Sequence, residues 1–337
     1  MVQHKSIDVH NHLYPKDWLE YLEKNINPKM VKTGPNSYLA YQDDVIVAHI
    51  DRPGHYDPAE RIKDMDKAGL DVQILSLTIP GVERLGASEG IAWAKRINDY
   101  FAEVCSQYPG RFYFQIALPY QDMDETIKEI ERCRKLYPDY AKGVQFFSNI
   151  NGKPVASPEF NDLYAAAEKY SLPILVHPTS PLTDKVMQKV RLPYQLFGYT
   201  LDTTMAVVSL IFGGYLEKFP GLNLVHSHLG GMVPYMMRRL DDSFKGYGKE
   251  WGYDELPKKP SDYYKSQVYT DTCNFNKPAV TCCFDIMGAD HMVLGTDYAH
   301  RVGDPEGAIA NIHGLDISEE DKQKCRGANA ARIYNIT

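Results

Sequence analysis

Two histidines separated by one residue, His10 and His12 in Asp8-Val9-His10-Asn11-His12, are the first residues of this chain whose types and spacing suggest chemistry. Residues 6–10 alternate in polarity and read as a strand, closed by Tyr14-Pro15. Alternate residues of a strand share a face, so the two imidazoles project together. Such a pair is half of a divalent metal site, because neutral ring nitrogen suits zinc and neighbouring ions. Further along, His177 ends Pro173-Ile174-Leu175-Val176-His177, His228 follows an apolar run at 222–227, and Asp297 follows another at 291–295. Three histidines and an aspartate can hold a divalent ion and leave a position for water, as a catalytic site requires.

These residues need a scaffold that brings distant segments together. Strand-like runs at 6–10, 72–77, 112–118, 143–147, 173–177, 222–227, 268–271 and 291–295 alternate with helix-like segments. The first helix is opened by Asp57-Pro58, a cap followed by proline at its first position. Eight strands alternating with helices predict an α/β fold of the (β/α)8 TIM-barrel type, as one domain over 1–337. A doubly wound sheet is the competing architecture, and it lacks a Gly-x-Gly-x-x-Gly after the first strand. In a barrel the C-terminal strand ends converge on one face, and every candidate residue falls at such an end. Residues 15–57 read as a small, irregular insertion after strand one, with a hairpin strand at 45–50, expected to form part of a pocket wall. Residues 178–200, punctuated by Pro178, Pro181, Pro193 and Gly198, read as a long loop.

Composition narrows the function classes. The 337 residues are 44% hydrophobic and 24% charged, with a net charge of -7 and no cluster of Lys and Arg, which excludes a nucleic-acid surface. No run reads as long and apolar enough to cross a bilayer, and the N-terminal residues lack the apolar core of a secretory signal. None of the six cysteines forms a Cys-x-x-Cys pair, so free thiols and a cytoplasmic location are expected.

The chain resembles the amidohydrolase superfamily, in the branch of metal-dependent decarboxylases and hydrolases typified by 2-amino-3-carboxymuconate-6-semialdehyde decarboxylase. The resemblance is carried by Asp8-Val9-His10-Asn11-His12, by Asp57-Pro58 with Arg61-Ile62 and Met65-Asp66, and by Val176-His177-Pro178. It continues through Phe212-Gly213-Gly214, His228-Leu229-Gly230-Gly231, Leu294-Gly295-Thr296-Asp297-Tyr298 and Gly327-Ala328-Asn329-Ala330, in order over nearly the whole chain.

The resemblance implies that His10, His12, His177 and Asp297 are the metal ligands, with zinc the expected ion and manganese the alternative. His228 becomes the acid-base residue, with Asp297 the other candidate proton donor. His226 competes with His228 on the same strand face, but the Gly-Gly after His228 matches the family and leaves His226 a packing role. Arg52 matches an arginine that grips a substrate carboxylate, and a guanidinium fork suits that group. Arg239 matches an arginine that reaches the neighbouring subunit's site, which implies a homodimer. The chain departs from the decarboxylase at Thr179 and at Ala299-His300-Arg301, where His300 and Arg301 are placed to bind an extra acidic or hydroxyl group. The implied activity is non-oxidative decarboxylation of a small aromatic or unsaturated carboxylic acid. Its rival is a hydrolase or hydratase adding water to a lactone, amide, ester or C=C bond.

Overall fold

The computed structural model describes residues 5–35 and 37–337; the N-terminal residues 1–4, part of the stretch read for a signal, lie outside it. The chain begins with β1 (Ile7–Asp8) and continues into a helix (Lys16–Lys24) and three strands, β2 (Lys29–Gly34), β3 (Ser37–Gln42) and β4 (Val45–Ile50). It then alternates β5 (Val72–Leu75), β6 (Phe112–Ile116) and β7 (Ala141–Phe147) with helices. A short hairpin, β8 (Asn149–Ile150) and β9 (Lys153–Pro154), precedes β10 (Ile174–His177), β11 (Leu224–His226), β12 (Val268–Asp271) and β13 (Met292–Val293). One eight-stranded sheet runs β1-β5-β6-β7-β10-β11-β12-β13, all parallel. Its two ends meet where the Val9 N–H donates to the Leu294 carbonyl (2.9 Å) and the Asp297 N–H to that of His10 (2.8 Å). This is the predicted barrel.

The strand alternation sorts the core into two parts. In-register Ile7 and Val72, and Leu175, Val225 and Tyr269, join Val9, Ile74 and Val293 in one cluster, which Ile333, Tyr334 and Ile336 of the C-terminal segment close. Their neighbours Phe112, Phe114, Phe146, Val176 and Leu224 belong to a larger cluster with the helix residues Ile97, Phe101, Ile130 and Leu163. Strands buried on both faces read as apolar runs, which is why the sequence showed them clearly.

Two stretches are more regular than expected. The 15–57 insertion is not irregular: its three strands form an antiparallel meander, and Asp43 and Asp44 turn between paired Gln42 and Val45 with φ of 50° and 61°. Both turn residues in the left-handed region is the two-residue hairpin geometry that matches strand twist, built here without glycine. The 178–200 loop contains a helix, Asp184–Val190, and a π turn, Tyr194–Gly198, continuing into helix Tyr199–Phe212. The prolines bound this helix rather than exclude one. The helical stretch Tyr194–Phe212 has 19 residues and a mean hydropathy of 1.2, enough by length and composition to span a bilayer, contrary to the sequence reading. Its Val207, Leu210 and Ile211 are buried in the larger core cluster, the behaviour of a core helix. All six cysteines are free.

The loop after β5 carries a liability. Glu83 is buried, neither carboxylate oxygen has a hydrogen-bond partner among the described residues, and burial raises its pKa to about 7. The folded state therefore holds a proton that the unfolded chain releases near its ordinary 4.5, so stability falls as pH rises from about 4.5 to about 7 and then levels off. Glu83→Gln is expected to add on the order of 3 kcal/mol at pH 8 and little at pH 4.5, read from denaturant midpoints at the two pH values.

Candidate metal centre and active site

The arrangement of this site begins with what fixes each imidazole. The Nδ1–H of His10 donates to Asp271 Oδ2 (2.6 Å), and that of His177 to the Pro178 carbonyl (2.8 Å). Ser76 Oγ donates to the Asn11 carbonyl (2.7 Å), which leaves it to accept from His12 Nδ1–H at 3.1 Å. In the neutral form of each ring Nε2 is therefore free of a proton, the tautomer that second partners impose on metal-binding histidines. Burial holds the His12 and His177 rings well below their ordinary pKa, with neighbouring histidines adding to the effect. For His10 burial opposes charge, but the hydrogen bond and charge of Asp271 outweigh it and hold the ring above 6.5.

Asp297 Oδ1 lies 3.6 Å from His10 Nε2 and 3.3 Å from His12 Nε2. One ligand atom from each of His10, His12, His177 and Asp297 falls within 4.8 Å of the others. His10 Nε2, His12 Nε2 and Asp297 Oδ1 are buried with no hydrogen-bond partner among the described residues. Buried polar atoms are almost always satisfied, so convergent orphans of this chemistry fit a divalent cation. A second grouping, His10, His228 and Cys273, fits less well. Burial, and then the Asp297 and Asp271 charges, push the Cys273 thiol well above its ordinary value and disfavour the thiolate a metal needs.

His228 closes another side of the centre, its ring centroid 5.0 Å from that of His10 and 6.0 Å from that of His177. It adopts φ 55° and ψ 53°, and Leu229 follows at φ 57°, a backbone that L-residues enter only when other contacts hold it. Those contacts come from Asp271, which accepts the N–H groups of His228 (3.1 Å), Leu229 (2.8 Å) and Cys273 (3.0 Å). The Gly-Gly that follows is a matter of space: a Cβ on Gly231 would meet Thr204 Oγ1 at 2.4 Å, and one on Gly230 the Tyr264 hydroxyl at 2.6 Å. His226 is outside the cavity lining that includes His228, and its Nδ1 meets the Tyr264 hydroxyl (2.9 Å).

Asp271 was not among the sequence-predicted residues, although it ends the seventh barrel strand as His177 ends the fifth. Burial pushes its carboxyl up, but the hydrogen bond from His10 and the charges of His10 and His228 prevail and lower its pKa. Asp271→Asn is expected to weaken metal affinity by about 10- to 100-fold, the usual cost of removing a partner behind a metal-binding histidine. Titration of the metal-free variant with zinc or manganese checks this.

Arg61 was quoted for its motif alone, and the structure supplies its reason. Fully buried, it donates to Gly54 O (3.0 Å), Asn11 Oδ1 (3.0 Å), Gln73 Oε1 (2.9 Å) and the His12 carbonyl, and so pins the His10–His12 segment. Asp8 accepts from Thr296 Oγ1 (2.7 Å), Gln73 Nε2 (2.9 Å) and the His10 N–H (3.1 Å), tying that segment to the strand end carrying Asp297. Both lie in the motifs that carry the resemblance, but only the fold shows which atoms they hold.

A cavity of about 470 Å³ opens onto the centre, where His177, His228, Asp297 and His300 line it. Its walls are largely apolar, with Ile46, Val47, Ala48 and His49 from β4, and Ile79, Pro178, Tyr199 and Val302 from the barrel loops. Such a pocket, apolar with a few convergent polar groups, suits a small organic molecule. His300 is therefore brought to the site. Arg52 is half-buried and directed toward the Gly303 carbonyl (3.5 Å), outside the cavity lining. Arg239 is exposed on helix Val233–Tyr247 and does not line the cavity within this chain.

The chain is 28% identical to 2-amino-3-carboxymuconate-6-semialdehyde decarboxylase of Dictyostelium discoideum, covering 98% of this chain and 92% of that one. It is 28% identical to gamma-resorcylate decarboxylase of Rhizobium sp. (strain MTP-10005), covering 82% and 86%. Among solved structures, 5-carboxyvanillate decarboxylase of Novosphingobium aromaticivorans DSM 12444, complexed with manganese and 4-hydroxy-3-methoxy-5-nitrobenzoic acid, superposes with a TM-score of 0.86 at 25% identity, over 98% of this chain and 96% of that one. Residues 7–336 match the profile of the Amidohydrolase family, and the chain belongs to that family.

Proposed function

We propose that this protein is a metal-dependent carboxy-lyase that removes CO2 without oxidation from a small aromatic or unsaturated carboxylic acid. The observation that carries the reading is the set of orphaned ligand atoms, His10 Nε2, His12 Nε2 and Asp297 Oδ1, beside His177 under an apolar cavity. Its similarity to decarboxylases over most of its length supports the reaction class.

His10, His12, His177 and Asp297 would hold one divalent ion, zinc or manganese. A cation there supplies the positive charge that stabilises electron density developing as the C–C bond breaks. The chain's own residues do the rest. The apolar walls exclude water and orient a flat acid with its carboxylate toward the histidines. The carbon that loses CO2 takes a proton held by His228 or Asp297, both of which line the cavity. Arg52 binds carboxylate only after turning from the Gly303 carbonyl, and Arg239 acts only across a contact with a second copy of the chain. We place the protein in the cytoplasm as a homodimer on this reading.

The test is product analysis with manganese-loaded protein and a panel of hydroxybenzoates and muconate-like acids. Release of one CO2 per acid consumed is the expected result. Water added to the substrate with its carboxylate retained would replace the lyase reading with a hydrolase or hydratase.

A further inference from the structure

A chain of hydrogen bonds behind the cavity fixes the character of His300. His55 is buried, and its Nδ1 lies 3.2 Å from the Arg52 carbonyl, which only accepts, so Nδ1 carries a proton. Its Nε2 faces His300 Nδ1 at 3.4 Å. Among the described residues no carboxylate is hydrogen-bonded to His55; burial, then His300, Arg61 and Arg52, hold it well below the ordinary histidine pKa, so it is neutral. A neutral ring protonated on Nδ1 has a lone pair on Nε2, and that lone pair accepts from His300 Nδ1–H. The proton of a neutral His300 is thereby committed to Nδ1.

His300 lines the cavity with its ring centroid 4.8 Å from that of His12, and its Nε2 has no protein partner among the described residues. We propose that His300 Nε2 is a hydrogen-bond acceptor that selects a substrate hydroxyl beside the metal centre, with His55 as the positioning residue that fixes its tautomer. An acceptor there repels a second carboxylate rather than binding one. Arg301 also lines the cavity, but its charge there is countered by Asp51, which its Nε meets at 2.6 Å. Of the two groups the sequence allows at this place, acidic or hydroxyl, the geometry points to the hydroxyl. The proposal rests on the decarboxylase reading only for what occupies the cavity.

Two measurements test it separately. Two-bond 15N–1H correlation on the zinc-loaded full-length protein reads the tautomer directly: His300 is expected to carry its proton on Nδ1, and to lose that preference in His55→Phe. Calorimetry on the manganese-loaded protein then compares 2,6-dihydroxybenzoate with 2-hydroxybenzoate, and 4-hydroxybenzoate with benzoate. At least one hydroxylated member is expected to bind about tenfold or more tightly than its partner, a ratio that collapses in His300→Phe and is partly restored in His300→Gln. A proton on Nε2, no preference for the hydroxyl in either pair, or a preference that survives His300→Phe would overturn the proposal. If none of the four acids binds while the Nδ1–H tautomer is seen, selection of a hydroxyl is overturned, and CO2 release from muconate-like acids decides the decarboxylase reading separately.

Discussion

His177→Ala protein is expected to purify without its metal and to release no measurable CO2. His177 contributes one of four converging ligand atoms, and its partner, the Pro178 carbonyl, holds the ring in the tautomer that presents Nε2. Removing partners outside the ligand set of a metal site already costs about 10- to 100-fold in affinity, so loss of a ligand is expected to cost at least about a hundredfold. The same variant provides a second readout. An ion present at about a hundred times its dissociation constant adds about 2.7 kcal/mol to the stability of a protein that binds it only when folded. The parent should show that rise in Tm on addition of zinc or manganese, and His177→Ala should not. Metal retained at one equivalent in the variant would remove His177 from the ligand set.

The second large effect belongs to His228. Positioned general acids and bases contribute about 10²- to 10⁴-fold, and His228→Asn is expected to lower kcat within that range while metal content and KM stay near the parent's. The substitution keeps a polar side chain, and the backbone groups that Asp271 holds are untouched. A fall of less than about tenfold would assign the proton to Asp297 alone. Loss of the metal would instead make His228 a ligand.

The proposed ligand set could be assembled from the sequence for a physical reason: His177 ends a strand, His10, His12 and Asp297 follow within a few residues of one, and a parallel barrel turns strand ends into neighbours. The strands themselves were legible because they are apolar on both faces. What the sequence left hidden are partnerships between residues of ordinary type. Asp271, Ser76 and Arg61 become recognisable only when the bond each makes to a histidine or its backbone is seen. The meander of the insertion was missed for a related reason: its strands are half-exposed, and its tight turn uses two aspartates in place of a glycine. The helix Asp184–Val190 was hidden by the prolines around it. For Arg52 and Arg239, the resemblance named residues that this fold holds outside the cavity lining, so any contact with substrate needs a side-chain rotation or a second chain.

The central claim is that one divalent ion at His10, His12, His177 and Asp297 supports decarboxylation. Its most direct test is to strip the protein of metal, titrate manganese or zinc back, and follow CO2 release from an acid that the untreated protein consumes. Activity should be absent at the start and return in proportion to added ion, levelling at one equivalent per chain. Undiminished CO2 release from the metal-free protein would contradict the account.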